Sequence, residues 1–171
     1  LVPYKRVDLA VRAAKLAGRL LVVAGKGPEL ERLKRLADEA PGPGKARFLG
    51  AVDDADLPAL YGHCRSFVFP GLEDFGITPL EATAAGRPVV AYQAGGALDT
   101  IVEGLNGVFC TEQTAEAVAA ALADPRLDGP WDAAAMVDHA ASFDRENFRA
   151  DLLDALGEAW AVHRGEAATH G

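Results

Sequence analysis

Along most of the chain, apolar residues at helical spacing alternate with short apolar runs. In VDLAVRAAKLA (7–17) apolar positions recur every three or four residues and predict a helix; RLLVVAG (19–25), a β-branched run closed by glycine, predicts a buried strand. GPELERLKRLADEA (27–40) puts Pro28 at a first helical position with Glu29 and Glu31 in the first turn, and ARFLG (46–50) reads as the next strand. Asp53 or Asp54 can cap a helix to about Cys64, SFVFP (66–70) is a strand, TPLEATAAG (78–86) a helix and PVVAY (88–92) a strand. GGALDTIVEG (95–104) reads as a short helix, Asn106 and Gly107 as a turn, and VFC (108–110) as a last strand. From Thr114 onward only helical patterns follow, over 115–124, 129–141 and 142–163, with Asp144 and Glu146 suiting the last start. Residues 164–171 read as a frayed end.

Short, nearly all-apolar strands separated by helices are the pattern of a parallel sheet covered on both faces, because each parallel strand needs a crossover to return. The expected fold is therefore α/β, a Rossmann-like doubly wound parallel sheet with C-terminal helices. Ligands of such sheets bind where strand carboxyl ends lead into helix starts. That singles out the loops 25–28, 50–54, 70–78 and 92–97.

Composition narrows the class. A chain of 171 residues suits one core, read here as one domain over 1–163, and a half-hydrophobic, quarter-charged balance is that of a globular protein. The formal charge of −8 (17 basic against 25 acidic residues) repels nucleic acid and anionic lipid, so an anionic ligand must be held by local geometry. Cys64 and Cys110, with no C-x-x-C pair, predict neither a disulfide framework nor a zinc knuckle, but small apolar residues of a cytosolic protein. No apolar run approaches the roughly 20 residues that span a bilayer, and the first residues lack a signal-peptide pattern.

The loop GLEDFGITPLEA (71–82) carries the chemistry. Thr78, Pro79 and Glu81 match a capping box, in which the Glu81 carboxylate serves the helix start; a carboxylate at the mouth of the sheet can equally accept from a ribose diol. Spacing leaves both roles open. Glu73 follows a strand end and precedes Asp74, a repulsion that favours a partner for at least one of them, although a solvated pair also fits. Gly76 permits a turn that exposes the N–H groups of Ile77 and Thr78 at a helix start, an anion site.

These stretches, with LVPYKRVDLAV, LLVVAGKGPELERL and ARFLGAVDDADLPALYGHCRSFVFP in the same order, closely resemble the C-terminal, donor-binding domain of retaining GT-B glycosyltransferases of family 4. The likeness runs from Leu1 to about Phe148 and is nearest to bacterial mannosyltransferases of polysaccharide or glycolipid assembly. It implies a nucleotide-diphosphate-sugar donor, GDP-mannose by likeness, and an acceptor brought by an N-terminal domain of a longer parent chain. The family's E-x7-E motif falls on Glu73, for the donor sugar's hydroxyls, and Glu81, for the ribose. The amides of Phe75, Gly76, Ile77 and Thr78 would face sugar and diphosphate, and Lys5 would sit on the diphosphate, where a flexible point charge suits a leaving group. The resemblance further implies no cofactor or metal, a cytoplasmic location with any membrane contact through parts outside this sequence, and little turnover by this piece alone. Two alternatives remain: a non-catalytic nucleotide- or protein-binding module of the same fold, and a nucleotide-sugar 2-epimerase.

Some positions depart from the family pattern. Its arginine partner of the lysine, and the first strand of the domain, central in its sheet, would precede Leu1. Arg6 stands where glycine is commoner, and Asp99 where GGxxE has glutamate. GKGP (25–28) has neither dinucleotide nor P-loop spacing and reads as a strand-to-helix turn near the base. Asp54 and Asp56 form a D-x-D better read as a helix cap than a metal site; His63, His139, His163 and His170 lack triad partners and read as structural or surface residues. Gly95 and Gly96 allow either backbone approach to the donor or a plain turn.

Overall fold

The computed structural model describes residues 1–164; the end predicted to fray lies, apart from Arg164, outside them. After a 3₁₀ turn at Pro3–Lys5, the elements are α1 (Val7–Leu16), β1 (Leu20–Ala24), α2 (Leu30–Glu39), β2 (Lys45–Gly50), α3 (Leu57–His63) and β3 (Phe67–Phe69). They continue with α4 (Ile77–Ala84), β4 (Val89–Tyr92), α5 (Ala97–Thr100), β5 (Gly107–Cys110), α6 (Ala115–Leu122), a 3₁₀ turn (Pro125–Asp128), α7 (Ala133–Ala141) and α8 (Arg145–His163). Asp144 caps α8 as expected, its side chain accepting from the Asn147 N–H at 2.8 Å. Asp56 is the residue before α3, yet its side chain makes no capping bond, and helical structure starts there later than expected. The start of α2 is also displaced, to Leu30, two residues beyond Pro28.

All strand pairs are parallel, which is the doubly wound pattern, but the strands form two sheets, β2-β1 and β3-β4-β5. Helix α1 connects the two, packing on α2 and on α6. Its Val11 lies in a core with Leu33 and Leu36, and its Ala13 in another with Val90, Val108 and Val118. One helix thus ties the two sheets, each fully buried Val or Leu contributing roughly 1.5–3 kcal/mol.

Strand β4 is covered on both faces, and the period of two divides its residues. Val90 faces the α1 and α6 side, whereas Val89 and Ala91 join Phe69, Ala82, Ala97 and Ile101 beneath α4 and α5. Strand β1 departs from the expectation of two covered faces: Leu21 packs toward Val11 and Leu33, but Leu20 and Val22 are 65% and 45% exposed. An apolar run alone does not reveal which of its faces finds a partner.

Asn106, read from sequence as half of a turn, is buried and joins three segments. Its amide nitrogen donates to Thr83 Oγ1 at 3.2 Å and to the Thr100 carbonyl at 3.0 Å, while its Oδ1 accepts from the Val102 N–H at 2.7 Å. This holds β5 against α4 and α5, the helix pair that frames the loop after β3.

Candidate functional site at the carboxyl end of β3

Strand β3 ends at Phe69, and Pro70 to Gly76 lead into α4. Gly76 is the N-cap, with φ 84°, and a Cβ there would stand 3.0 Å from the Phe69 ring. A left-handed turn tight against an aromatic ring explains the glycine. The capping box expected at Thr78 does not form. The helix begins at Ile77, which makes Pro79 its third residue, where a box needs an N–H that proline lacks, and no side chain caps this start. Among the described residues, no backbone bond outside helices and strands uses the N–H of Gly76, Ile77 or Thr78. A helix start of this kind offers amide donors and the positive end of the helix dipole to an anion.

Lys5 meets Glu73 across this loop. Its Nζ lies 3.3 Å from Glu73 Oε1, with the Lys5 side chain 41% and that of Glu73 17% exposed. The approach needs Gly71, where a Cβ would come within 2.9 Å of Lys5 Cα. Asp74 is exposed, so of the two adjacent carboxylates it is Glu73 that gains the cation. Phe75 is partly exposed, its ring 6.0 Å from that of Phe143 between α7 and α8. Ile77 is exposed and Thr78 half-buried.

Glu81 lies apart from that ion pair and is exposed; its Oε2 accepts from the Tyr61 hydroxyl of α3 at 2.8 Å. The Tyr61 ring stands edge-on to Phe67 at 5.6 Å. Burial first, and then the bond to Glu81, push the Tyr61 phenol well above its ordinary range. The structure thus brings Lys5 and Glu73 together, and gives Glu81 a tyrosine rather than its own helix start.

Several supporting residues have no motif to announce them. Arg6, at φ 50° the only described non-glycine residue with positive φ, takes the conformation that the glycine commoner at this place adopts freely. Its guanidinium pairs with Asp8 at 3.1 Å and donates to Gln113 Oε1 at 3.1 Å; Gln113 Nε2 donates to the Pro70 carbonyl at 2.9 Å. That relay ties the turn bearing Lys5 to the loop bearing Glu73. Gly96 donates its N–H to the Glu73 carbonyl at 2.9 Å, so the Gly95-Gly96 turn braces the loop directly.

The other candidates fall elsewhere. The 25–28 loop packs against Leu1, whose carbonyl accepts from the Glu29 N–H at 3.3 Å. His139 bonds the Thr100 carbonyl at 2.9 Å and His63 the Ala59 carbonyl at 2.7 Å, both structural contacts. His163 lies beside the Trp160 ring, and His170 is outside the described residues. Cys110 is buried and Cys64 half-buried, and burial pushes both thiols up. Among the described residues no group of three His, Cys, Asp or Glu is placed to hold a metal ion.

Comparison with known proteins bears on this geometry. The profile of the family described as "Glycosyl transferases group 1" matches residues 1–138. The GDP-mannose-dependent alpha-(1-6)-phosphatidylinositol monomannoside mannosyltransferase of Mycobacterium tuberculosis is 34% identical, over 75% of this chain and 37% of its own. The D-inositol 3-phosphate glycosyltransferase of Salinispora tropica is 35% identical over 95% of this chain and 37% of its own. The chain therefore spans a little over a third of these relatives. Among solved structures, the lipopolysaccharide outer core galactosyltransferase WaaB superposes with a TM-score of 0.76 at 18% identity, covering 91% of this chain and 46% of WaaB. Anabaena HepE, solved with UDP and glucose, gives 0.70 at 22% identity, covering 92% and 46%. At these identities the likeness to WaaB and HepE is one of fold alone. With a family match over most of its length, the chain belongs to the glycosyl transferases group 1.

Proposed function

We propose that this chain is the donor-binding half of a retaining glycosyltransferase, moving a hexose from a nucleotide-diphosphate sugar to an acceptor hydroxyl in polysaccharide or glycolipid assembly. The observation that carries the reading is the Lys5–Glu73 pair beside the uncapped start of α4: one cation, one carboxylate and free amide donors at a strand's carboxyl end. In this reading the amides of Phe75 to Thr78 and the Lys5 ammonium hold the diphosphate. Glu73 accepts from the sugar hydroxyls and Glu81 from the ribose. As the anomeric carbon's bond to the diphosphate breaks and that to the acceptor oxygen forms, Lys5 stabilises the charge gathering on the leaving group. The acceptor is brought by another domain of a longer chain, so this piece alone binds donor weakly and turns over little. Mannose carried by GDP is the favoured donor, on the likeness to relatives that use it. No metal enters the reading, and the site works in the cytoplasm. Among the described residues no helix is long and apolar enough to cross a membrane.

Calorimetric titration with GDP-mannose, UDP-glucose and ADP-glucose tests this. Saturable binding is expected, tightest for GDP-mannose; no binding of any of the three would count against a donor site in this loop.

A further inference from the structure

Resting on that reading, we infer that Tyr61 is a positioning residue for ribose recognition: its hydroxyl fixes the Glu81 carboxylate in the orientation that meets the ribose diol. Glu81 is exposed on α4, and no other hydrogen bond to its side chain is recorded among the described residues. A free glutamate on a helix surface samples several rotamers, and a ligand that needs one of them must overcome that freedom. Tyr61 removes it, donating to Oε2 at 2.8 Å.

The donor is itself held. Tyr61 sits in the last turns of α3, its ring edge-on to Phe67, and Phe67 stacks on Phe69 with centroids 6.5 Å apart. The same Phe69 ring backs Gly76, the N-cap of α4. One aromatic row therefore sets both the start of α4 and the carboxylate one and a half turns into it. The bond to Tyr61 uses one lone pair of Oε2 and leaves Oε1 and the second Oε2 lone pair for two diol hydroxyls. Burial keeps the phenol protonated, so it stays a donor throughout the neutral range.

A preset carboxylate should matter only for a ligand that offers both hydroxyls. The test measures GDP and 2′-deoxy-GDP affinities by calorimetry for the unmodified chain, Tyr61→Phe and Tyr61→Leu. The unmodified chain is expected to prefer GDP by about tenfold or more, the scale of a lost hydrogen bond to a charged group. Tyr61→Phe should shrink that preference by a few-fold, through weaker GDP binding with 2′-deoxy-GDP nearly unchanged. Tyr61→Leu, which also loses the ring, should lower the melting temperature further but give the same preference, as a merely structural role would not. If the unmodified chain prefers GDP and Tyr61→Phe prefers it equally, the inference is overturned and the functional reading stands. If GDP does not bind, or binds no tighter than 2′-deoxy-GDP, the ribose role of Glu81 fails and the inference with it.

Discussion

Substituting Glu73 by glutamine keeps the side chain's shape and removes its charge. In the free protein this breaks only the pair with Lys5, 3.3 Å long and with the lysine 41% exposed. Solvent-screened pairs contribute roughly 0.2–1 kcal/mol. At about 2–4 °C per kcal/mol for a chain of this size, the melting temperature should fall by no more than about 4 °C. Binding should respond more strongly. A carboxylate accepting from sugar hydroxyls contributes about 1.5–3 kcal/mol, so Glu73→Gln should weaken GDP-mannose by roughly 10- to 150-fold. GDP, which lacks the sugar, should bind as before or slightly tighter, because the Lys5 ammonium loses an anion that competes with the diphosphate. Calorimetry with both ligands, beside thermal unfolding, reads all three effects. The assignment of Glu73 to the sugar is refuted if GDP and GDP-mannose weaken by the same factor. A fall in melting temperature beyond about 10 °C with both affinities intact would instead make Glu73 a structural residue.

Two further predictions concern the frame of the site. Asn106→Ala leaves the Val102 N–H without its acceptor and removes the amide's bonds to Thr83 and Thr100, the Thr100 carbonyl keeping His139, and should cost about 1–3 kcal/mol, lowering the melting temperature by roughly 2–12 °C; an unchanged melting temperature would show that Asn106 is not the link between β5 and the α4–α5 pair. The Tyr61 phenol is raised in the folded state, so above about pH 10 the folded protein holds a proton that the unfolded chain has released, and stability falls as pH rises. The stability advantage over Tyr61→Phe should be constant from about pH 7 to 9 and shrink beyond about pH 10, the variant serving to subtract the two buried thiols. A constant difference through about pH 11 would show that the phenol is not so held.

The order of helices and strands, the parallel pairing and the Asp144 cap were legible in the sequence, because each rests on a short-range period or on a bond within one turn. So was the eight-residue spacing of Glu73 and Glu81, with the glycine that opens α4 between them. What residues three or four apart cannot encode is which distant segment arrives beside them. Thr78 and Glu81 satisfy the pattern of a capping box, yet the Phe69 ring and the left-handed Gly76 start the helix one residue before Thr78, leaving its amides free and Glu81 to a tyrosine from α3. Leu20 and Val22 carry the same apolar pattern as strand residues that are buried, but exposure depends on what covers a face. Lys5 by itself is a surface lysine in a short turn. It gains a partner only because Gly71 lets that turn lie against the β3 loop, and because Arg6 and Gln113 hold it there. Local propensity therefore set the elements and placed the acidic residues at a strand's carboxyl end. Long-range packing, which no sequence period records, decided which charge each carboxylate faces.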